Sequence, residues 1–233
     1  MINIFLALAG LALAVPAPAR VMENAQPSGS LPSQPDNMEA GGEVGRSAAA
    51  ARVADWIAAS GDNGSLPYII VDKKTASLFL FDAKRNALGS VPVLIGVAVG
   101  DDATPGIGSK NLAEIGPAEK TTPAGRFLAK FGRAAGRQKV LWVDYAMSVA
   151  LHPIPKKASK KERRRQRMLS PTIDDNRITF GCINVPMAFY SKDVRPLFQK
   201  EGGYVYVLPD TKPLEVVFPP LRAQSFTEVG ALR

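Results

Sequence analysis

One cysteine and one histidine are the residues of this chain whose types could form a catalytic pair. The sequence has 233 residues, and Cys182 and His152 are each the only residue of their kind. A free thiol has a pKa of about 8.5, so at neutral pH little of it is the nucleophilic thiolate. An imidazole within hydrogen-bond reach can take the thiol proton and activate the sulfur. The alternative is that Cys182 is a small buried hydrophobic residue, and the fold decides between the two.

The segment around the cysteine reads Thr-Phe-Gly-Cys-Ile-Asn at positions 179–184. Gly181 suits a place where the backbone bends sharply or approaches a substrate closely. Backbone N–H groups beside the cysteine can face a developing oxyanion. This order, with a histidine upstream, resembles the nucleophile signature of the L,D-transpeptidase (YkuD-type) catalytic domains.

The resemblance implies a role for each residue of the segment. Cys182 would be the nucleophile and His152 the general base and acid, with a backbone carbonyl just after His152 orienting the imidazole. Four further residues are implied to line the oxyanion and substrate positions: Gly181, Thr179, Asn184 and Phe180. The sequence departs from the family pattern in two ways, because Phe180 stands where a second histidine is usual and because the separation between His152 and Thr179 is longer than usual.

A second motif of the same family lies upstream. The residues Thr122-Pro123-Ala124-Gly125-Arg126-Phe127 match its Thr-Pro-x-Gly-x-Phe pattern. Physically this is a tight turn that leads into a strand. It supports the resemblance and is not expected to be catalytic.

The implied reaction is acyl transfer on peptidoglycan stem peptides through a thioester on Cys182. The acceptor would be an amine of a second stem or of an outer-membrane lipoprotein. Two alternatives stay open: hydrolysis of the same substrates, as in an L,D-carboxypeptidase, and a non-catalytic module that binds the cell wall. No cofactor is implied, and no metal, because one histidine and one cysteine cannot complete a zinc site without several carboxylates.

The elements that must position these residues are mostly strands. Short β-branched and aromatic runs bounded by turn residues predict a mainly β fold, and the resemblance implies a YkuD-like β-sandwich with one or two short helices. The predicted strands are Tyr68–Val71, Ser77–Phe81, Val91–Val99, a strand beginning at Phe127, Val140–Tyr145, Met147–His152, Ile178–Phe180, Tyr204–Leu208 and Leu214–Phe218. Helices are predicted at 47–59, capped by Ser47, and at 187–200, with a kink at Pro196.

Composition shifts divide the chain into five parts. The apolar run Ile4–Val15, followed by Ala17-Pro18-Ala19, predicts a signal peptide over 1–19 and thus export to the periplasm, with a retained membrane anchor as the alternative. A flexible linker is predicted at 20–46, a short helix and turn at 47–65, the catalytic domain at 66–210 and a tail at 211–233.

The positive charge is local. Residues 156–167 hold eight Lys or Arg and one Glu, and so account for +7 of the net charge of +8. The segment contains no aromatic residue on which a base could stack, so no nucleic-acid partner is expected. It is either a solvated run or a basic flap that attracts an anionic substrate.

Overall fold

The computed structural model describes residues 45–134 and 138–222, so the predicted signal peptide and most of the predicted linker lie outside the described residues. The strands are β1 (Tyr68–Asp72), β2 (Ser77–Phe81), β3 (Ala87–Pro92), β4 (Ile95–Gly96), β5 (Gly125–Arg133), β6 (Lys139–Asp144), β7 (Val149–Pro153), β8 (Arg177–Thr179), β9 (Ile183–Val185) and β10 (Gly203–Val207). The helices are α1 (Ala48–Ser60), α2 (Arg164–Met168), α3 (Met187–Phe189), α4 (Arg195–Phe198) and α5 (Leu214–Val217), and a π-helical turn at Tyr190–Val194 joins α3 to α4. None of these helices is long and apolar enough to cross a membrane.

The strands form a large sheet that nearly closes on itself. Eight of them pair in the order β3-β2-β1-β10-β5-β6-β7-β9, while β4 and β8 form a small parallel pair. Leu94 lies between β3 and β4 and exchanges two backbone hydrogen bonds, at 3.0 and 2.9 Å, with Asn184 of β9, the strand at the other end of this order. The two ends of the sheet therefore meet, and the predicted mainly β fold is confirmed.

Alternating side chains of the sheet fill two separate cores. In β1, Ile69 and Val71 point into the first core, and Tyr68 and Ile70 point into the second. This is the two-residue period of a strand whose faces are both covered. The first core lies within the curved sheet and also takes up side chains from the helical segment 187–198.

Helix α1 covers the second core, and both of its ends follow from the sequence. The Ser47 side chain accepts a hydrogen bond from the Ala50 N–H, which makes it the predicted N-cap, and Gly61 ends the helix in the left-handed conformation. Trp56 of α1 packs against Phe218, with 6.2 Å between ring centroids. The strand predicted at Leu214–Phe218 is wrong, because α5 occupies most of this segment and brings Phe218 against α1.

Proline residues lie at two further differences from the predicted elements. The predicted strand Val91–Val99 is interrupted after Pro92, which has no N–H to continue the ladder, and the strand starts earlier, at Ala87. The kink expected at Pro196 takes the form of the π-helical turn just before it, which accommodates the missing N–H.

Candidate active site

Strands β7 and β9 bring the histidine and the cysteine to one face of the sheet. They pair in parallel, with His152 opposite Asn184, and Cys182 immediately precedes β9. Leu151 and Ile183 point into the first core. Because side chains alternate along a strand, His152, Asn184 and Cys182 all lie on the opposite face. The fold thus makes the two candidate residues diagonal neighbours across paired strands.

The imidazole is held in one tautomer. Nδ1 lies 2.8 Å from the carbonyl oxygen of Pro153, the orienting contact expected from the sequence. A carbonyl can only accept, so Nδ1 carries the proton and Nε2 keeps its lone pair. Burial lowers the pKa of His152, the Pro153 carbonyl raises it, and the charge of Arg164 lowers it, with a net decrease. The resting imidazole is therefore neutral and can accept a proton at Nε2.

The thiol is partly exposed and protonated at rest. Sγ of Cys182 is 3.7 Å from the carbonyl oxygen of Ser148, and within the described ranges it makes no hydrogen bond to His152. Burial raises the pKa of the thiol, and the backbone N–H of Ala150 and the charge of Arg164 lower it, with a net increase. The resting pair is a neutral thiol and a neutral imidazole, and not a preformed ion pair.

The turn before the cysteine is tightly fixed. The Thr179 hydroxyl donates to the Cys182 carbonyl oxygen at 2.6 Å and accepts from the Gly181 N–H at 3.2 Å. Gly181 has φ of +121°, and a Cβ there would lie 2.6 Å from the Thr121 carbonyl oxygen. The hydroxyl of Thr122 donates to the Gly181 carbonyl oxygen at 2.9 Å. Only glycine fits at position 181, because both the conformation and the contact exclude a side chain.

These hydrogen bonds separate the residues that hold the turn from those that can face a substrate. The Gly181 N–H is used by Thr179, whose side chain is buried. The N–H of Cys182 has no hydrogen-bond partner in the part of the chain that the structure describes, so it is the group left for an oxyanion. Phe180 is 41% exposed, and the Nζ of Lys120 lies 3.9 Å from the centroid of its ring.

Asn184 is buried beside the imidazole. Its amide nitrogen lies 3.5 Å from Nδ1 and 3.4 Å from Nε2 of His152. Nearly equal distances mean that the amide packs against the ring and does not point along the lone pair of Nε2. Its amide oxygen accepts a hydrogen bond from Nη1 of Arg164 at 2.8 Å. Asn184 thus connects the imidazole to the basic segment.

Sequence reasoning missed two residues of this site. Arg164 was one of many charges in the segment 156–167, and nothing in the sequence distinguishes it from its neighbours. The sequence places Thr122 in a turn alone, whereas in the structure its hydroxyl also donates to the Gly181 carbonyl oxygen and accepts from the Gly96 N–H, each at 2.9 Å. The Thr-Pro-x-Gly-x-Phe motif was the available signal for Thr122. Across the described ranges, no group of three or more His, Cys, Asp or Glu side chains could hold a metal ion.

Comparison with known proteins gives only structural neighbours. No protein-family model and no curated protein matches the chain. A mutant of the helical cell shape determining protein Pgp2 from Campylobacter jejuni is 12% identical over 72% of this chain and 58% of that one, with a TM-score of 0.41. A mutant L,D-transpeptidase from Enterococcus faecium is 14% identical over 61% of this chain and 49% of that one, with a TM-score of 0.32.

The catalytic domain of an Enterococcus faecium L,D-transpeptidase, solved by NMR, is 16% identical over 61% of this chain and 96% of that one, with a TM-score of 0.32. This chain spans about half the length of the crystallised Enterococcus faecium enzyme. L,D-transpeptidase catalytic domains are therefore among the structural neighbours, at low identity.

Proposed function

We propose that the protein is a cysteine acyltransferase that acts on peptidoglycan stem peptides through a thioester on Cys182. The observation that carries the proposal is that the only cysteine and the only histidine of the chain share one face of the paired strands β7 and β9. A partly exposed thiol beside an imidazole with a free Nε2 is suited to nucleophilic catalysis. The substrate class comes from the resemblance of residues 179–184 to the L,D-transpeptidase signature.

In the proposed reaction, the sulfur turns away from the Ser148 carbonyl and His152 Nε2 takes its proton. The thiolate attacks the carbonyl of the third, diamino-acid residue of a stem tetrapeptide, and the N–H of Cys182 donates to the oxyanion. The C–N bond to the terminal D-Ala breaks, and His152 returns the proton to the departing amine. An amine then attacks the thioester, loses its proton to His152 and releases the thiol; water in its place gives a trimmed tripeptide.

The other predicted residues support this chemistry in different ways. Thr179 and Gly181 fix the turn that aims the sulfur, and Asn184 keeps the imidazole in place. Phe180, exposed beside the nucleophile and covered on one side by Lys120, offers an apolar surface to the incoming peptide. The substrate lies in the cell wall, so the proposal includes export by the predicted signal at 1–19.

Mass spectrometry of muropeptides tests the function and identifies the acceptor. The wild-type protein or Cys182→Ala is produced in cells, and the muropeptides from their digested cell walls are compared. New 3→3 cross-links indicate transpeptidation, peptides linked to a lipoprotein lysine indicate anchoring, and tripeptides alone indicate the carboxypeptidase. Identical muropeptides in the two samples would contradict an enzyme and favour the wall-binding module.

A further inference from the structure

The C-terminal part of the basic segment 156–167 is anchored to the fold, so the segment is not a fully solvated run of charges. In α2 and the turn after it, Met168 is 2% exposed, and Nε of Arg167 donates to the Asp175 carbonyl oxygen at 2.8 Å. The buried amide of Asn176 donates to the carbonyl oxygens of Met168 and Val93, at 3.3 and 2.8 Å. One face of α2 is therefore fixed, and this face also carries Arg164.

Arg164 is the cation of this segment that reaches the candidate active site. Its side chain is only 14% exposed, and Nη1 donates to Asn184, which packs against His152. Nε donates to the half-exposed carboxylate of Glu162 at 2.7 Å. The two N–H groups of Nη2 make no hydrogen bond to the described part of the chain and are not sealed from solvent. One edge of the guanidinium thus stays open, and its charge is near enough to lower the pKa of Cys182.

We propose that Arg164 binds a carboxylate of the acyl donor and so selects donors that carry a negative charge next to the scissile carbonyl. A guanidinium presents its N–H groups in a planar fork that matches a carboxylate, and a charge-assisted bond of this kind is stronger than a neutral one. Asn184 holds one arm of the fork, which reduces the freedom lost when a ligand binds. Exposed neighbours such as Lys161 only add to long-range attraction.

This inference rests on the proposed function for the identity of the donor, a stem tetrapeptide. Two carboxylates of such a peptide have the required chemistry: the C-terminal carboxylate of the departing residue and, in a stem whose third residue is a diamino dicarboxylic acid, the side-chain carboxylate of that residue. Amidating one carboxylate at a time shows which of the two binds Arg164. Either carboxylate lies within a residue of the bond that is broken.

Binding to a protein that cannot react tests the inference independently of catalysis. Full-length Cys182→Ala protein is titrated calorimetrically with three synthetic tetrapeptides: the free acid, its C-terminal amide and its side-chain amide. One of the two amides is expected to bind about tenfold more weakly than the free acid. Adding Arg164→Gln should remove this preference, whereas adding Lys161→Gln, which deletes a charge at an exposed position of the same segment, should keep it.

Arg164→Lys keeps the positive charge but loses the planar fork, so the preference for the free acid over the amide should fall by several-fold. If Arg164→Gln does not fold, Arg164→Lys serves as the test. An unchanged preference in the Arg164 variants would overturn the inference, as would failure of every peptide to bind Cys182→Ala protein. Thioester formation is measured separately on protein that retains Cys182. Selective binding without a thioester would refute the proposed function but leave the inference about Arg164 standing. A thioester formed without carboxylate preference would support the proposed function but refute the inference about Arg164.

Discussion

At the scale of single residues, proton affinity determines the reactivity of the site. Burial raises the pKa of Cys182 and lowers that of His152, so both shifts favour the neutral pair. In the proposed reaction, the thiol proton therefore has to move to the imidazole during the attack, as in general-base catalysis. Arg164 acts against the rise at Cys182, because its positive charge favours the thiolate.

The pH dependence of alkylation tests this description of the thiol. Alkylation requires the thiolate, so its rate should rise with pH through a midpoint above the free-thiol pKa of about 8.5. In Arg164→Gln the midpoint should move higher still, because a charge that lowers the pKa is lost. The rate of iodoacetamide addition, followed by intact mass spectrometry between pH 6 and 11, gives both midpoints. A wild-type midpoint below that of a free thiol would contradict the neutral resting pair.

Gly181→Ala should disrupt the turn that carries the nucleophile. The added Cβ meets the Thr121 carbonyl oxygen at 2.6 Å in a backbone conformation with φ of +121°, so the free energy of unfolding should fall by about 2–5 kcal/mol. Gly106→Ala is a matched control, since its φ is also positive but nothing lies within 4 Å of the new Cβ. The control should lose only about 1–2 kcal/mol in urea denaturation. Equal losses in the two variants would show that the close contact at Gly181 is unimportant.

At the scale of elements, the site depends on four separate segments of the chain. The pair of strands β7 and β9 supplies the imidazole and the thiol, α2 supplies Arg164, and the turn at 121–125 supports the nucleophile through Thr122. Thr122 accepts from the Gly96 N–H and donates to the Gly181 carbonyl oxygen. A single buried hydroxyl thereby joins the start of β5 to the loop that ends at Cys182.

Thr122→Val removes this hydroxyl with little change of shape. Each buried backbone group left unpaired should cost about 1–3 kcal/mol, and the rate of acylation of Cys182 should fall because Gly181 is no longer held. Thr104→Val is the control, since the Thr104 hydroxyl has no hydrogen bond within the described residues. Urea denaturation and intact mass spectrometry measure the two effects. An unchanged acylation rate in Thr122→Val would show that the Thr122 hydroxyl does not support the nucleophile.

Local patterns predicted much of this arrangement, and long-range contacts account for what they missed. The Ser47 cap and the strand Ser77–Phe81 follow from nearest neighbours in the sequence. The reactive roles of Cys182 and His152 stay a prediction. The segment Leu214–Phe218 has a strand-like composition, but packing against α1 makes it helical. Arg164 has no local signature, because its role depends on Asn184, which lies 20 positions away in the chain.

At the scale of the whole molecule, a buried ion cluster connects the sheet to the loops around the site. Lys73 is fully buried, and its ammonium donates to Asp101 at 3.0 Å and to the Thr122 carbonyl oxygen at 2.9 Å. Asp210 lies 3.3 Å from the same ammonium and accepts from Arg177 at 2.7 Å. Two cations and two carboxylates balance in charge, and together they hold the loop at 100–101 and the turn at Thr122.

Lys73→Met should destabilise the protein strongly, because it leaves buried carboxylates short of a cation. The expected loss in the free energy of unfolding is about 3–5 kcal/mol. Lys74→Met is the matched control: the neighbouring lysine is exposed, and its loss should change stability by no more than about 0.5 kcal/mol. Urea denaturation of the wild-type protein and the two variants measures these free energies of unfolding. A loss in Lys73→Met as small as that in Lys74→Met would mean that the cluster does not stabilise the fold.

The central claim is that the sulfur of Cys182 is a nucleophile activated by His152. The most direct test is the rate at which a carbapenem-type acylating agent adds to the purified protein, followed by intact mass spectrometry with thermal unfolding as a check on folding. The account predicts one adduct, located at Cys182, none in Cys182→Ala, and a rate lower by roughly 10²–10⁴ in a folded His152→Ala protein. Equal rates in the wild-type and His152→Ala proteins, or an adduct in Cys182→Ala, would contradict it.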